Sequence, residues 1–302
     1  MSPRSWPRRA AIVTLVAAAS LPLCAFDAPA PTGAAPLRYR DTVFPAVSVS
    51  RGITYGEATG ADGLPQKLQL DLYQPVGDTS RSRPVMVWVH GGAFRTGNRT
   101  SGDVVELATR FARRGYVTAS ISYRLLGDTP ECVQYQLPNV CMKAVLAAAS
   151  DGQQSVRWLR KYATALRLDP ARISMGGSSA GAGVAIVVAA SPSAGSPTVP
   201  SSTIRTAFSI SGASPTNIIF GAGDSPIYFW HGTADTISPI AWARANVGAM
   251  QTKGLTAEIH EVAGAGHVPF TQYADDMDTQ ARNWVYDQMD LARADQRGVP
   301  GS

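Results

Sequence analysis

The sequence predicts an α/β fold with a mainly parallel central sheet of about eight strands and helices on both faces. Three observations lead there. Apolar runs of strand length alternate along the chain with segments of helical periodicity. One of them, Val85-Met86-Val87-Trp88-Val89, is continuously apolar, as a strand covered on both faces must be. The chain has 302 residues, 45% hydrophobic and 16% charged, enough to bury a sizeable core and too apolar for a disordered protein.

In chain order, the first strand covers Val47 to Tyr55. Leu68-Gln69-Leu70-Asp71-Leu72-Tyr73 alternates apolar and polar residues, the pattern of a half-buried strand. After the Val85–Val89 strand come a helix over Val104 to Arg114 and a strand over Tyr116 to Ser122. Ala144 to Leu166 reads as helix, with Val156, Leu159 and Tyr162 near one face. A short strand, Ile173 to Met175, runs into a Gly/Ser turn and a helix of small residues, Ala180 to Ala190. Strands follow at Thr206 to Ser211, Ile227 to Trp230 and Ala257 to Val262, with helices at Pro239 to Gln251 and Asp275 to Arg293. In the last helix Met277, Ala281, Trp284 and Val285 share a face. In such a sheet functional residues collect just past the carboxyl ends of the strands.

The N-terminus stands apart from this pattern. Arg4, Arg8 and Arg9 precede an uncharged run from Ala10 to Phe26, the layout of a secretory signal. We expect residues 1–25 to be a signal peptide, 26–36 an Ala/Pro-rich linker and 37–302 a single catalytic domain, secreted or periplasmic, with no stable membrane span in its mature form. Leu21-Pro22-Leu23-Cys24 is like a lipoprotein box, but a leucine stands where a small residue should precede Cys24; Arg8-Arg9 has flanks that fit a twin-arginine signal poorly. Loss of residues 1–25 removes three arginines and no acid, so the +5 charge of the full chain falls close to neutral. No basic block remains, and nucleic acid is not an expected partner. The sequence sets no oligomeric state.

Gly177-Ser178-Ser179-Ala180-Gly181 matches G-x-S-x-G between a strand and a helix, the context of a nucleophile elbow that would project the Ser179 hydroxyl at the top of the sheet. Gly177 and Gly181 allow the sharp turn. His90-Gly91-Gly92-Ala93-Phe94 follows the buried strand, and its glycine N–H groups, with that of Ala180, would form an oxyanion hole; Gly91 and Gly92 both remain as loop donors. A serine needs a base. Of four histidines, His90 lies in the oxyanion loop, His231 ends a strand and His260 falls within one; His267, in the loop after the last strand, is the best base. Asp235, beyond the Ile227–Trp230 strand, would orient it. The order Ser179, Asp235, His267 is that of the α/β-hydrolases and not of chymotrypsin or subtilisin.

With these residues in place the chain resembles the α/β-hydrolase superfamily. Within it, the chain is similar to the carboxylesterase and acetylesterase group that shares an H-G-G loop with hormone-sensitive-lipase-like enzymes, and to feruloyl and acetyl-xylan esterases. The likeness runs from about Ile53 to the final helix. It is carried by Leu70 to Pro75, Pro84 to Phe94 with Gly97, Ser122 to Leu125, Arg157-Trp158-Leu159 through Asp169-Pro170 and Arg172-Ile173, and by the elbow, His231 to Asp235 and Gly266-His267. It departs at Ser178, where such esterases often carry an acid. The resemblance implies a serine esterase cleaving small-molecule or saccharide-linked carboxylic esters, short-chain, acetyl or feruloyl, through an acyl-enzyme on Ser179, with no metal or organic cofactor. An amidase, formamidase or peptidase of the same fold is the alternative, and a non-catalytic binding protein a further one. The connection between Ser211 and Ile227 is too short for a large cap domain, so an open site is expected.

Three cysteines exclude a disulfide-dense scaffold or a four-cysteine zinc site. Cys24 lies in or near the signal, and Cys132 and Cys141, nine positions apart, suggest one disulfide in an oxidising compartment, against the alternative of two buried thiols.

Overall fold

The structure is a computed structural model that describes residues 36–125, 139–213 and 219–294. The expected signal peptide, nearly all of the linker and Cys132 lie outside the described residues.

The strands are β1 (Val47–Thr59), β2 (Pro65–Pro75), β3 (Arg83–Val89), β4 (Val117–Ile121), β5 (Leu168–Ser178), β6 (Ala207–Ile210), β7 (Ile227–Gly232) and β8 (Ala257–Val262). They form one eight-stranded sheet in the order β1-β2-β4-β3-β5-β6-β7-β8. The β1–β2 and β2–β4 pairs are antiparallel and every other pair is parallel. The helices are α1 (Gly102–Ala112), α2 (Asn139–Lys161), α3 (Ala163–Leu166), α4 (Ala180–Ala189), α5 (Ile240–Thr252) and α6 (Phe270–Gln288), with a 3-10 turn at Leu291–Arg293.

The alternation of side chains along each strand sorts the core into two layers. Val85, Val87 and Val89 of β3 and Ile227 and Phe229 of β7 pack with α2, α4 and α5. Met86, Trp88, Tyr228 and Trp230 point the other way, onto α1 and α6. This is why β3 is buried along its whole length. Helix α4 is apolar on every side and almost wholly buried, a central helix and not a surface one. In α6 the expected face of Met277, Ala281, Trp284 and Val285 is the buried one.

Boundaries moved where backbone bonding outran the side-chain pattern. β5 extends well beyond Ile173–Met175, because its polar and glycine residues are paired with β3 and β6 through the main chain. α2 begins five residues before the expected Ala144 and stops at Lys161; the separate α3 is closed by Arg167, whose φ of 55° ends it. α6 starts at Phe270, ahead of the expected Asp275, and is kinked at Tyr273. Between β6 and β7 no helix occurs among the described residues.

Candidate active site

At the carboxyl edge of the sheet the chain leaves β5 and enters α4 through Ser179, whose backbone has φ 51° and ψ −116°. A residue with a side chain avoids this region unless its surroundings impose it. The imposition comes from close packing of the elbow on the end of β3. A Cβ on Gly181 would lie 2.1 Å from the Val89 carbonyl oxygen, and one on Gly177 2.6 Å from the same atom. Both flanking glycines are therefore demanded by contact with β3 as well as by the turn itself.

The turn presents Ser179 Oγ to His267. Oγ lies 2.8 Å from His267 Nε2, and His267 Nδ1 lies 2.8 Å from Asp235 Oδ2. The other oxygen, Asp235 Oδ1, accepts the backbone N–H groups of Ile237 and Ser238 at 2.9 and 2.8 Å. His231 Nε2 donates to the Ser238 carbonyl at 2.6 Å and stands 3.4 Å from Asp235 Oδ2. Burial opposes ionisation of Asp235, but hydrogen bonding from His231, His267 and the Ser238 N–H outweighs it and holds the carboxyl well below the ordinary carboxylate range. A permanent anion beside Nδ1 makes that nitrogen the proton carrier and leaves Nε2 free to accept from Ser179.

The loops bearing Asp235 and His267 are laced together. Thr233 N–H donates to the Val262 carbonyl, Ala234 N–H to that of Ala265, and Gly264 N–H to Thr233 Oγ1. Ser211, at the end of β6, accepts the Val268 N–H on its hydroxyl at 3.0 Å and so ties down the residue next to His267.

The loop after β3 faces the elbow. His90 is fully buried, and burial lowers its pKa, keeping the imidazole neutral. Its Nδ1 donates to the Gly91 carbonyl at 2.6 Å, and its ring stacks on Tyr123 at 4.3 Å. The Tyr123 hydroxyl donates to the His90 carbonyl at 3.1 Å and approaches that of Gly91 at 3.4 Å. Because the peptides are trans, pinning these two carbonyls turns the N–H groups of Gly91 and Gly92 the opposite way. Ala180, the first residue of α4, carries an N–H with no partner within its own helix.

A cavity of about 820 Å³ opens above Ser179. Its walls are largely apolar, with Phe94, Met142, Val145 and Leu146 on one side and Val187 and Ile219 elsewhere. Asp103 of α1 lines it too and accepts the Ser178 hydroxyl at 2.5 Å. Ser178 thus faces a carboxylate. Cys141 also lines the cavity, is buried and is not a free thiol. His260 is elsewhere, 3.2 Å from Asp276 on the α6 side.

Ser211 and Asp103 carried no sequence signal, being single polar residues without motif context. Tyr123 stood inside a quoted motif, but only its stacking on His90 shows what it does.

A Ser–His–Asp hydrogen-bond chain is set at a strand-to-helix elbow on a sheet of the α/β-hydrolase fold. Residues 70–199 match the BD-FAE family model. The chain is 38% identical over 117 residues to phenmedipham hydrolase of Pseudarthrobacter oxydans, and 30% identical over 132 residues to carboxylesterase NlhH of Mycobacterium tuberculosis. These matches take in 38% and 43% of this chain and only 21% and 35% of the relatives' lengths. Esterase 2 of Thermogutta terrifontis has a similar structure, with a TM-score of 0.63 at 23% identity over 83% of this chain and 97% of that one.

Proposed function

We propose that the protein hydrolyses carboxylic esters by acyl transfer through Ser179. The observation that carries this is the continuous hydrogen-bond chain Ser179–His267–Asp235, opening on an apolar cavity. Ser179 Oγ attacks the ester carbonyl as its proton passes to His267 Nε2. The Ala180 N–H, with those of Gly91 and Gly92, receives the oxyanion, and His90 and Tyr123 hold the loop in the orientation this requires. His267 then protonates the leaving alcohol and activates water for deacylation. Asp235 keeps the imidazole in one tautomer throughout and balances its charge.

Relatives named as carboxylesterases support the ester class. The apolar walls and the short β6–β7 connection support small acyl groups on varied alcohols, acetyl or feruloyl among them. The test is the Ser179→Ala variant: p-nitrophenyl acetate hydrolysis should vanish while circular dichroism is unchanged. Undiminished turnover would refute the role of Ser179, and faster cleavage of matched amides than of esters would favour an amidase.

We further propose export, directed by residues 1–25, and a Cys132–Cys141 disulfide beside the cavity, the latter supported by Cys141 being no free thiol.

A further inference from the structure

We propose that Arg95 selects esters that carry an anionic group, a carboxylate on the acyl or the alcohol moiety, and binds that group against the cavity wall. The inference rests on the ester-hydrolase reading above.

Among the described residues, the charged side chains lining the cavity are Arg95, Asp103 and His267. Two are already engaged: Asp103 accepts the Ser178 hydroxyl, and His267 spans Ser179 and Asp235. The guanidinium of Arg95 has no ion pair or hydrogen bond among the described residues, and its Nε is buried without an acceptor. Neighbouring arginines behave otherwise: Arg99 is paired with buried Asp71 at 2.7 Å, and Arg124 with Asp151 at 2.8 Å. An anion reaching this half-buried guanidinium would supply the counter-charge that its surroundings lack. With Nε enclosed, the terminal nitrogens are left to receive that anion, and their planar spacing suits a carboxylate.

The backbone keeps this residue in place. Ala93 and Phe94 have φ of 52° and 61°, a left-handed stretch that side chains disfavour. The next two N–H groups, of Arg95 and Thr96, both donate to the Gly92 carbonyl, at 2.9 and 3.0 Å. Phe94 packs against Tyr123 at 6.0 Å, so the loop that would supply the oxyanion donors also carries Arg95 at the cavity wall. Anion recognition and oxyanion binding would then share one rigid support.

The test compares kcat/KM for two pairs of esters. 4-Acetoxybenzoate against 4-acetoxybenzamide places the charge on the alcohol side; phenyl hydrogen adipate against methyl phenyl adipate places it on the acyl side. The expected result is a charged-to-neutral ratio of about ten in one pair. That ratio should fall towards one in Arg95→Gln and be partly kept in Arg95→Lys. Because each ratio is internal to one enzyme, a general loss of activity cancels. In the wild type the ratio should also shrink as sodium chloride is raised, a reading that needs no variant to fold. A wild-type ratio of one or less in both pairs, a ratio unaltered in Arg95→Gln, or a ratio indifferent to salt would overturn the proposal. Failure to hydrolyse any of the four esters would instead remove the esterase reading, and this inference with it.

Discussion

Asp235 shows how one residue's environment is built from several others. It is deeply buried, yet three N–H groups donate to its two oxygens and His231 Nε2 stands 3.4 Å away, and the carboxyl stays ionised. Its folded pKa lies below the unfolded value near about 3.9. The unfolded chain therefore binds the proton first as pH falls, so the stabilisation is complete above pH ~4 and is lost below it as the folded value is approached. Thermal melts of wild type and Asp235→Asn should accordingly converge as pH drops from about 5 to 2, and curves that stay parallel would contradict this. In the same variant kcat on p-nitrophenyl acetate should fall by roughly 10⁴, because an amide stabilises the wrong imidazole tautomer. At this scale the sequence was informative about identity, since Ser179, Asp235 and His267 follow from motif and order. It was silent about Ser211 and Asp103, whose roles depend on contacts with segments far away in the chain.

At the scale of elements, the elbow is a three-body contact between β5, α4 and the end of β3. The atoms that exclude a side chain at Gly181 are backbone carbonyls of Val89 and His90, which cannot move without breaking the sheet. Gly181→Ala should thus cost about 1–3 kcal/mol by overpacking, read as a lower melting temperature with a disproportionate loss of esterase activity; a variant as stable and as active as wild type would show the contact to be softer than its geometry. On the opposite layer Arg114, in the turn just beyond α1, pairs with Asp278 of α6 through two hydrogen bonds of 2.7 and 2.6 Å. The strand-and-helix alternation was legible in the sequence because each element shows its own hydrophobic period. The extension of β5 and the early start of α6 were not, because main-chain pairing and a proline-capped first turn leave no apolar pattern.

Across the whole molecule, the cavity is walled by segments far apart in sequence: the loop after β3, the starts of α1 and α2, the end of α4 and the loops after β7 and β8. Cys141 stands in that wall at the beginning of α2. A Cys132–Cys141 bridge would close a short loop beside the site and contribute on the order of 2–3 kcal/mol through the unfolded state. Titration of the unreduced, denatured chain without residues 1–25 should find neither thiol, and reduction should lower the melting temperature; two titratable thiols would defeat the bridge. The segment ahead of β1 is held by a buried cluster in which Arg38 pairs with Asp78 at 2.6 Å and Arg83 stands 3.9 Å from the same acid. Burial brings Arg83 down to about 10.

The sequence by itself determined the fold class, the elbow, the glycine loop and the order of serine, acid and base. All of these are local, written in hydrophobic period, in glycine spacing or in which residue follows which strand. Only the tertiary structure decided how the Gly91 and Gly92 N–H groups are turned, which atoms forbid a side chain beside Ser179, and which cavity-lining charges have partners. Those depend on distances between segments dozens of residues apart, such as Tyr123 to His90 and Asp103 to Ser178. No spacing along one chain encodes such distances until the sheet has brought its strands into register.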